Sequence, residues 1–304
     1  MAEIVVLGSL NMDLSVNVPR IPLPGETISG GSLVTSAGGK GANQAATCAR
    51  LGKQVAMIGC VGEDDFGRRM KTGLSLVGVD VRHIKEVAGP SGSAIILVDG
   101  RGENCIVLSA GANQSVTLDK ITSDFIKQSK ILLLQLEISP EIVYEAIDIA
   151  HAAGTKILLN PAPAIQLRQE IYAKLDYLIP NETEATLLTG VNVNDLPSAQ
   201  KAAQVLLERG TKTVIITLGA EGALLATQDQ NVHIPSIKVN AIDTTAAGDA
   251  FIGGFACAQV QNYSLKESVR FACCAGALAA TKKGAQISLP KIQEVLEVYH
   301  PEGS

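Results

Sequence analysis

DTTAAGDAF, residues 243–251, lies between an apolar, β-branched run at 239–242 that reads as the end of a strand and an apolar, small-residue run at 250–258 long enough for a helix. The stretch is therefore a strand-to-helix turn, the connection from which α/β folds are built. Thr244 and Thr245 carry hydroxyls suited to capping the helix, while Ala246, Ala247 and Gly248 leave their amides uncovered at its N-terminus, where an anion is favoured. Asp249 falls in the first helical turn, where a carboxylate can take a proton from an attacking hydroxyl while the amides hold a phosphoryl group. The helix dipole favours its ionised form, which predicts a weak base. Thr, Gly and Asp also start ordinary helices, so this stretch alone fits a plain capped helix equally well.

Upstream, residues 4–7 form a short apolar run ending at Gly8, as a buried parallel strand does, and Asn11 and Asp13 follow at its exit. Residues 19–34 change character: Pro/Gly turns around short alternating pieces predict small antiparallel strands. Residues 93–98 and 104–109, around the turn Asp99, Gly100, Arg101, Gly102, read as a hairpin able to pair with them. The two insertions, 14–35 and 91–109, would make a small antiparallel β lid.

Between them SAGGKGANQAATCARLG, residues 36–52, runs from a glycine-rich loop into an Ala-rich helix. A P-loop needs Ser or Thr after its Gly-Lys pair, and Gly41 follows Lys40; the dinucleotide fingerprint needs a last Gly where Gln44 stands. What remains is a loop that lets backbone approach a ligand closely, with Lys40, Asn43 and Gln44 offering donors. From residue 54 onward the rhythm is regular: strands at 54–59, 131–137, 156–160, 177–181 and 213–219 alternate with helical stretches, giving a mostly parallel central sheet flanked by helices. The last four strands end on polar or glycine positions: Glu137, Asn160, Asn181, and Thr217 with Gly219. In open parallel sheets ligands bind at the carboxyl ends of strands, so these residues, with Asn11 and Asp13, converge on one cleft near Asp249. Asn181 and Glu184 also have the spacing of a capping box, and residues 63–65 read as a turn and helix start.

Composition narrows the function. The 304 residues are 46% hydrophobic, carry net charge −5 and contain 3% aromatics with no Trp, which argues against a phosphate-tracking or base-stacking surface and so against nucleic acid. Six cysteines in apolar contexts without C-x-x-C spacing suit reduced core thiols, and no apolar run approaches a membrane span, so a cytoplasmic protein with no membrane partner is expected. The four histidines lie outside these stretches, which leaves carboxylate, Lys, amide and backbone groups to do any chemistry. No repeat or linker divides the chain, and residues 1–304 read as one domain.

The segments GSLNMD (8–13), AGGKGANQAA (37–46), NPAPA (160–164), PNETEA (180–185), TLGAEGA (217–223), DTTAAGDAF (243–251) and TKKGAQISLP (281–290) resemble the ribokinase-like carbohydrate kinases over essentially the whole chain. The resemblance implies ATP-dependent phosphorylation of D-ribose at its 5-hydroxyl, with Asp249 as base and the amides of Ala246, Ala247, Gly248 and Asp249 as anion hole. It implies a sugar site from Asn11, Met12, Asp13, Gly39, Lys40, Gly41, Ala42, Asn43, Glu137 and Asp249. ATP would lie against Asn181, the loop Thr217, Leu218, Gly219, Ala220, Glu221, Gly222, then Gly248 and Cys273. Mg²⁺ would bridge the β- and γ-phosphates with Glu184 reaching it through water. An activating K⁺ would draw on Asp243, Thr245, Ala279, Lys282, Gly284 and Ser288, mainly through backbone oxygens. A homodimer joined through the lid is expected by the same analogy. Deoxyribose, another sugar or a nucleoside are the alternative substrates, and a non-catalytic sugar- or nucleotide-binding protein is the rival of another class. Ala246 stands where many relatives have Gly, and Cys273 where Asn or His is common.

Overall fold

The computed structural model describes residues 2–301. Its main sheet is nine-stranded, in the order β13-β12-β11-β10-β9-β8-β1-β4-β5. The strands are β1 (Ile4–Leu7), β4 (Val55–Gly62), β5 (Asp80–Val87), β8 (Ile131–Leu134), β9 (Lys156–Leu159), β10 (Tyr177–Leu178), β11 (Thr213–Thr217), β12 (Ala223–Ala226) and β13 (Asn231–Ile234). From β5 to β11 every pairing is parallel, and β12 and β13 add an antiparallel edge. Alternation along β1 shows why the sheet is covered on both faces: Ile4 and Val6 join one core cluster and Val5 and Leu7 the other. The first cluster takes α1 (Lys40–Arg50), α2 (Asp65–Leu76), α8 (Ala247–Val260), α9 (Leu265–Ala280) and α10 (Ile292–Val298). The second takes α3 (Lys120–Gln128), α4 (Pro140–Ala153), α5 (Gln169–Tyr172), α6 (Glu182–Thr189) and α7 (Leu196–Glu208).

Helix starts follow local chemistry. Asp64 caps α2 through Gly67 N–H at 2.7 Å, and Asn181 with Glu184 closes a reciprocal capping box on α6.

The second sheet has the order β3-β2-β6-β7, with β2 (Asn11–Asn17), β3 (Val34–Gly38), β6 (Gly92–Val98) and β7 (Asn104–Ser109). Two antiparallel pairs, β2 with β3 and β6 with β7, are joined by a parallel pairing of β2 with β6. Asn11 and Asp13 are thus residues of the small sheet itself.

Several expectations are corrected. Residues 239–242 form no strand: Val239 and Ile242 are 37% and 59% exposed, and β-branched residues extend into a ladder only where a neighbouring strand offers partners. Residues 19–33 hold no strand either, because the prolines and glycines make the connection and the flanking residues pair. The main-sheet strands end earlier than predicted, at Leu134, Leu159, Leu178 and Thr217, so that Glu137, Asn160 and Asn181 stand in the loops beyond them. Cys105 is exposed on β7, while the other five cysteines are buried and free.

Candidate active site

Gly39 begins the site. Its φ is 89°, and a Cβ there would stand 2.7 Å from the amide nitrogen of Asn11, so only glycine lets the β3–α1 connection lie against the start of β2. This approach brings Lys40, Asn43 and Gln44 on the first turns of α1 to the carboxyl ends of β1, β8 and β9. Glu137 then gathers three donors on one oxygen: Ser9 Oγ at 2.5 Å, Lys40 N–H at 3.2 Å and Asn11 Nδ2 at 3.3 Å. Asn113 holds the other side of Asn11, donating Nδ2 to its Oδ1 at 2.8 Å, so the Asn11 amide is turned with its NH₂ toward Glu137.

At α8 the expected cap is absent. Ala246 occupies the N-cap in the left-handed region (φ 59°) with no side-chain cap, and the Thr245 hydroxyl goes to Asp243 Oδ1 at 2.6 Å instead. A non-glycine residue held there is sparsely populated backbone, typical of sites that need a particular amide direction. Of the amides from Ala246 to Asp249, that of Ala247 bonds the Thr244 carbonyl at 3.1 Å. Those of Ala246, Gly248 and Asp249 keep no acceptor among the described residues.

Asp249 is 8% exposed and its two oxygens are each held by a buried amide: Asn43 Nδ2 reaches Oδ2 at 2.8 Å and Gln44 Nε2 reaches Oδ1 at 2.9 Å. Burial pushes its pKa above the ordinary aspartate value, against the pull of Lys40 and of those two donors. The weak base expected from the helix dipole is therefore corrected: desolvation outweighs it and raises the proton affinity. Burial opposes the charge on Lys40, but Asp249, Glu137 and Glu184 together outweigh it and hold its pKa above the usual lysine value. A half-buried ammonium thus stands among three carboxylates, the arrangement a polyanion would meet on entering.

A cleft of about 190 Å³ joins Lys40, Asn160, Asn181, Glu184, Thr217, Thr244, Gly248 and Asp249. A second cavity of about 350 Å³, lined by Asn11, Ser109, Asn113 and Glu137 among others, lies under the small sheet. Asp13 is half-buried on β2, its carboxylate against Gly38, and burial with the nearby charges of Glu137 and Asp249 pushes its pKa up to about 7. Met12 and Ala42 point into the core, so only their backbone is available to a ligand, and Gly41 is buried against Gly8 and Ser9. Thr217 pairs with Asn181, its N–H bonding the Pro180 carbonyl at 3.0 Å. Beyond it Leu218 is tied to Gly222 at 2.8 Å around a short turn at Gly219–Glu221, where Ala220 is exposed. Cys273 is 4% exposed on α9 and does not line the 190 Å³ cleft; burial and Cys274 push its thiol to about 12, leaving a neutral side chain.

Asp243 ties two loops together, accepting from Thr245 N–H at 2.9 Å and from Gly284 N–H at 2.8 Å. These bonds outweigh its partial burial and hold its pKa below the ordinary range. The carbonyl of Ala280, next to buried Ala279, accepts from Ile242 and Asp243 N–H. Lys282 pairs its ammonium with Glu294 and bonds its N–H to the Ala279 carbonyl at 3.2 Å, and buried Ser288 gives its hydroxyl hydrogen to Ala285 O at 2.7 Å. Asn160, placed at the cleft by the sequence as a strand end, does line it, while Thr244, Ser9 and Gln135 are contributors that motif reading did not assign. Thr244 was legible only as a helix cap; for Gln135, inside an apolar run, no local signal exists.

The sequence profile of the pfkB family carbohydrate kinases matches residues 1–292. The chain is 46% identical over 295 residues to a ribokinase of Haemophilus influenzae, covering 96% of each. It is 38% identical over 300 residues to a deoxyribokinase of Salmonella typhi, covering 97% of this chain and 98% of that one. In three dimensions it is similar to the Arabidopsis thaliana ribokinase complexed with ribose and ATP, with a TM-score of 0.93 at 33% identity over 97% of this chain and 98% of that one.

Proposed function

The chain belongs to the pfkB family of carbohydrate kinases, and on that premise we propose that it transfers the γ-phosphate of ATP to the 5-hydroxyl of D-ribose, giving D-ribose 5-phosphate and ADP. The chain is a kinase, a phosphotransferase with an alcohol acceptor. The observation that carries the assignment of chemistry is Asp249: a buried carboxylate with raised proton affinity, locked by two amides, beside unpaired backbone N–H groups at a helix N-terminus.

In this reading Asp249 accepts the proton of the 5-hydroxyl, and the open amides of the α8 turn hold the phosphoryl oxygens. Transfer passes through a loose transition state, so positioning and charge stabilisation carry most of the catalysis. Asn11, Asp13, Lys40 and Glu137 bind the sugar under the small sheet, and the nucleotide lies along Asn181 and residues 217–222, with Cys273 a neutral neighbour at its far side. Glu184, a cleft-wall carboxylate whose oxygens are aligned by Asn181 N–H and Nδ2, would hold through water the Mg²⁺ that accompanies ATP, and that ion would supply neutralisation of phosphate charge. The junction of residues 243–245 with 279–288 is cross-linked by an ionised Asp243, and a monovalent cation such as K⁺ held there by Asp243 and backbone oxygens would stiffen the adjoining turn. A second copy of the chain covers the lid, and the cytoplasm is the place of action; no helix among the described residues is long and apolar enough to cross a membrane.

The deoxyribokinase relative supports 2-deoxyribose as a second reading, and the two differ by one hydroxyl. The test is ADP release with ATP and Mg²⁺ over a panel containing ribose, 2-deoxyribose, fructose and adenosine. Ribose should give the highest kcat/KM, and Asp249→Asn should lower kcat by about 10²- to 10⁴-fold with little change in ribose binding. Ribose-independent ADP release, or an Asp249→Asn enzyme turning over normally, sinks the assignment.

A further inference from the structure

Asp249 is held from behind by an amide that is itself held from a third element. Gln44 on α1 gives its Nε2 hydrogens to Asp249 Oδ1 at 2.9 Å and to Asn160 Oδ1 at 3.2 Å, and Asn160 is anchored by donating Nδ2 to the Ile179 carbonyl at 3.0 Å. On its other side Gln44 Oε1 accepts from Gln135 Nε2 at 2.6 Å. Gln44 and Gln135 are both 0% exposed. A glutamine amide presents a donor edge and an acceptor edge, and turning it over exchanges them. Turned over, Gln44 would aim its carbonyl oxygen at an ionised carboxylate. Asn160 Oδ1, itself fixed through Ile179, opposes this turn as well, and Gln135 adds to it through the donor it keeps on Gln44 Oε1; the Oε1 of Gln135 has no hydrogen-bond partner among the described residues, so this one bond is what orients its amide.

We propose that Gln135 is a positioning residue for the transfer: by donating to Gln44 Oε1 it keeps the NH₂ of Gln44 on Asp249, so that the carboxylate presents its remaining lone pairs to the sugar hydroxyl. The inference rests on Asp249 being the base. Gln135 directly follows β8 and reaches α1 past Gly8, at the end of β1; a Cβ on Gly8 would stand 2.0 Å from Gln135 Oε1, so glycine at that strand exit makes room for the amide. Without the Gln135 donor, Gln44 Oε1 is buried and unpaired, and since Asp249 and Asn160 both penalise a turned amide, the relief open to it is a tilt that lengthens its bond to Asp249. The donor from Gln44 favours the ionised form of Asp249, so its loss raises the proton affinity further. The other charged groups facing Asp249 are Lys40 on α1, Glu137 after β8, Glu184 on α6 and Asp13 on β2, and the substitutions below leave all four in place.

The test uses the full chain with ribose and ATP–Mg²⁺. Gln135→Met keeps the length without hydrogen bonding, and Gln135→Glu replaces the donor by an acceptor. Gln135→Met should lower kcat by about tenfold to hundredfold, Gln135→Glu by more at neutral pH, with KM for both substrates within about twofold of the parent. The acidic limb of kcat should move to higher pH in Gln135→Met. Adding Gln135→Met to Gln44→Met should cost nothing further, since one acts through the other. Gly8→Ala, whose Cβ would meet Gln135 Oε1 at 2.0 Å and also Gly41 Cα on α1 at 3.0 Å, serves if the Gln135 variants fold poorly: it should reproduce the kcat loss, and an unchanged kcat with the amide displaced would overturn the proposal. Unchanged kcat and pH limb in Gln135→Met, additive losses in the double variant, or a loss confined to KM would each overturn the proposal. A parent enzyme without ribose kinase activity would instead refute the assigned reaction, so the two failures are distinct.

Discussion

Asp13 and Asp249 are aspartates close enough for the charge of one to act on the other, yet their surroundings set them to different tasks. Asp249 has two neutral amide donors and Lys40 nearby, which offset part of the desolvation cost; for Asp13 the causes that shift it all push upward: burial, then Glu137, then Asp249. With a pKa of about 7, free Asp13 is half protonated at neutral pH. Sugar hydroxyls donate to the ionised form, so ribose binding must expel that proton. Ribose affinity measured without nucleotide should therefore rise by about fivefold to tenfold from pH 6 to pH 8 and then level off, and Asp13→Asn should abolish the trend along with most of the affinity. The stability linkage has the opposite slope. A carboxyl whose folded pKa is raised binds more protons folded than unfolded, so its contribution is fully present below the unfolded pKa and is lost as pH rises through about 7. Asp13→Asn should accordingly raise Tm more at pH 8 than at pH 5. Equal gains at both pH values, with flat ribose affinity in the parent, would remove Asp13 from the sugar site.

At the scale of elements, α8 begins without a side-chain cap, and Thr245 is committed to Asp243. The turn at Ala246 is therefore shaped from outside the helix, by the bonds that Asp243 makes to residues 245 and 284. A cation held by carbonyls of these loops would stiffen the same turn and so act on kcat from outside the sugar and nucleotide sites. Replacing Na⁺ by K⁺ at constant ionic strength should raise kcat, and Asp243→Ala should remove the response. Equal rates of the parent enzyme in both salts would count against Thr245, Ala279 and Gly284 as cation ligands.

For the whole molecule, the small sheet is the part that does not close on itself. Every residue of β7 is exposed, and Ile95, Ile106, Val107 and Leu108 are 49%, 50%, 59% and 51% exposed on a strand pair at the sheet's edge. An apolar edge strand of this kind invites pairing or burial. The expected occupant is the lid of a second copy, which presents the same apolar surface in a closed two-fold arrangement. Sedimentation at micromolar concentration should report a dimer, and Ile106→Glu should shift it to monomer while raising KM for ribose, because an unsupported lid closes less well over Asn11 and Glu137. A monomeric parent enzyme would leave the lid surface without this partner.

The sequence by itself determined the parallel strands β1, β4 and β8 to β11, though not β5, β12 or β13, together with the glycine- and amide-rich loops, the capping box of Asn181 with Glu184, and the placing of Asp249 in the first turn of a helix. These follow from hydrophobic period, side-chain size and short-range hydrogen bonding, all of which act within a few residues. Only the tertiary structure decided that residues 239–242 find no strand partner, that β2 pairs in parallel with β6, that burial makes Asp249 a better base than its helix dipole suggests, and that Gln135 stands behind Gln44. Ladder pairing, desolvation and a buried amide relay are set by neighbours brought from distant parts of the chain, and such neighbours leave no periodicity in a single sequence.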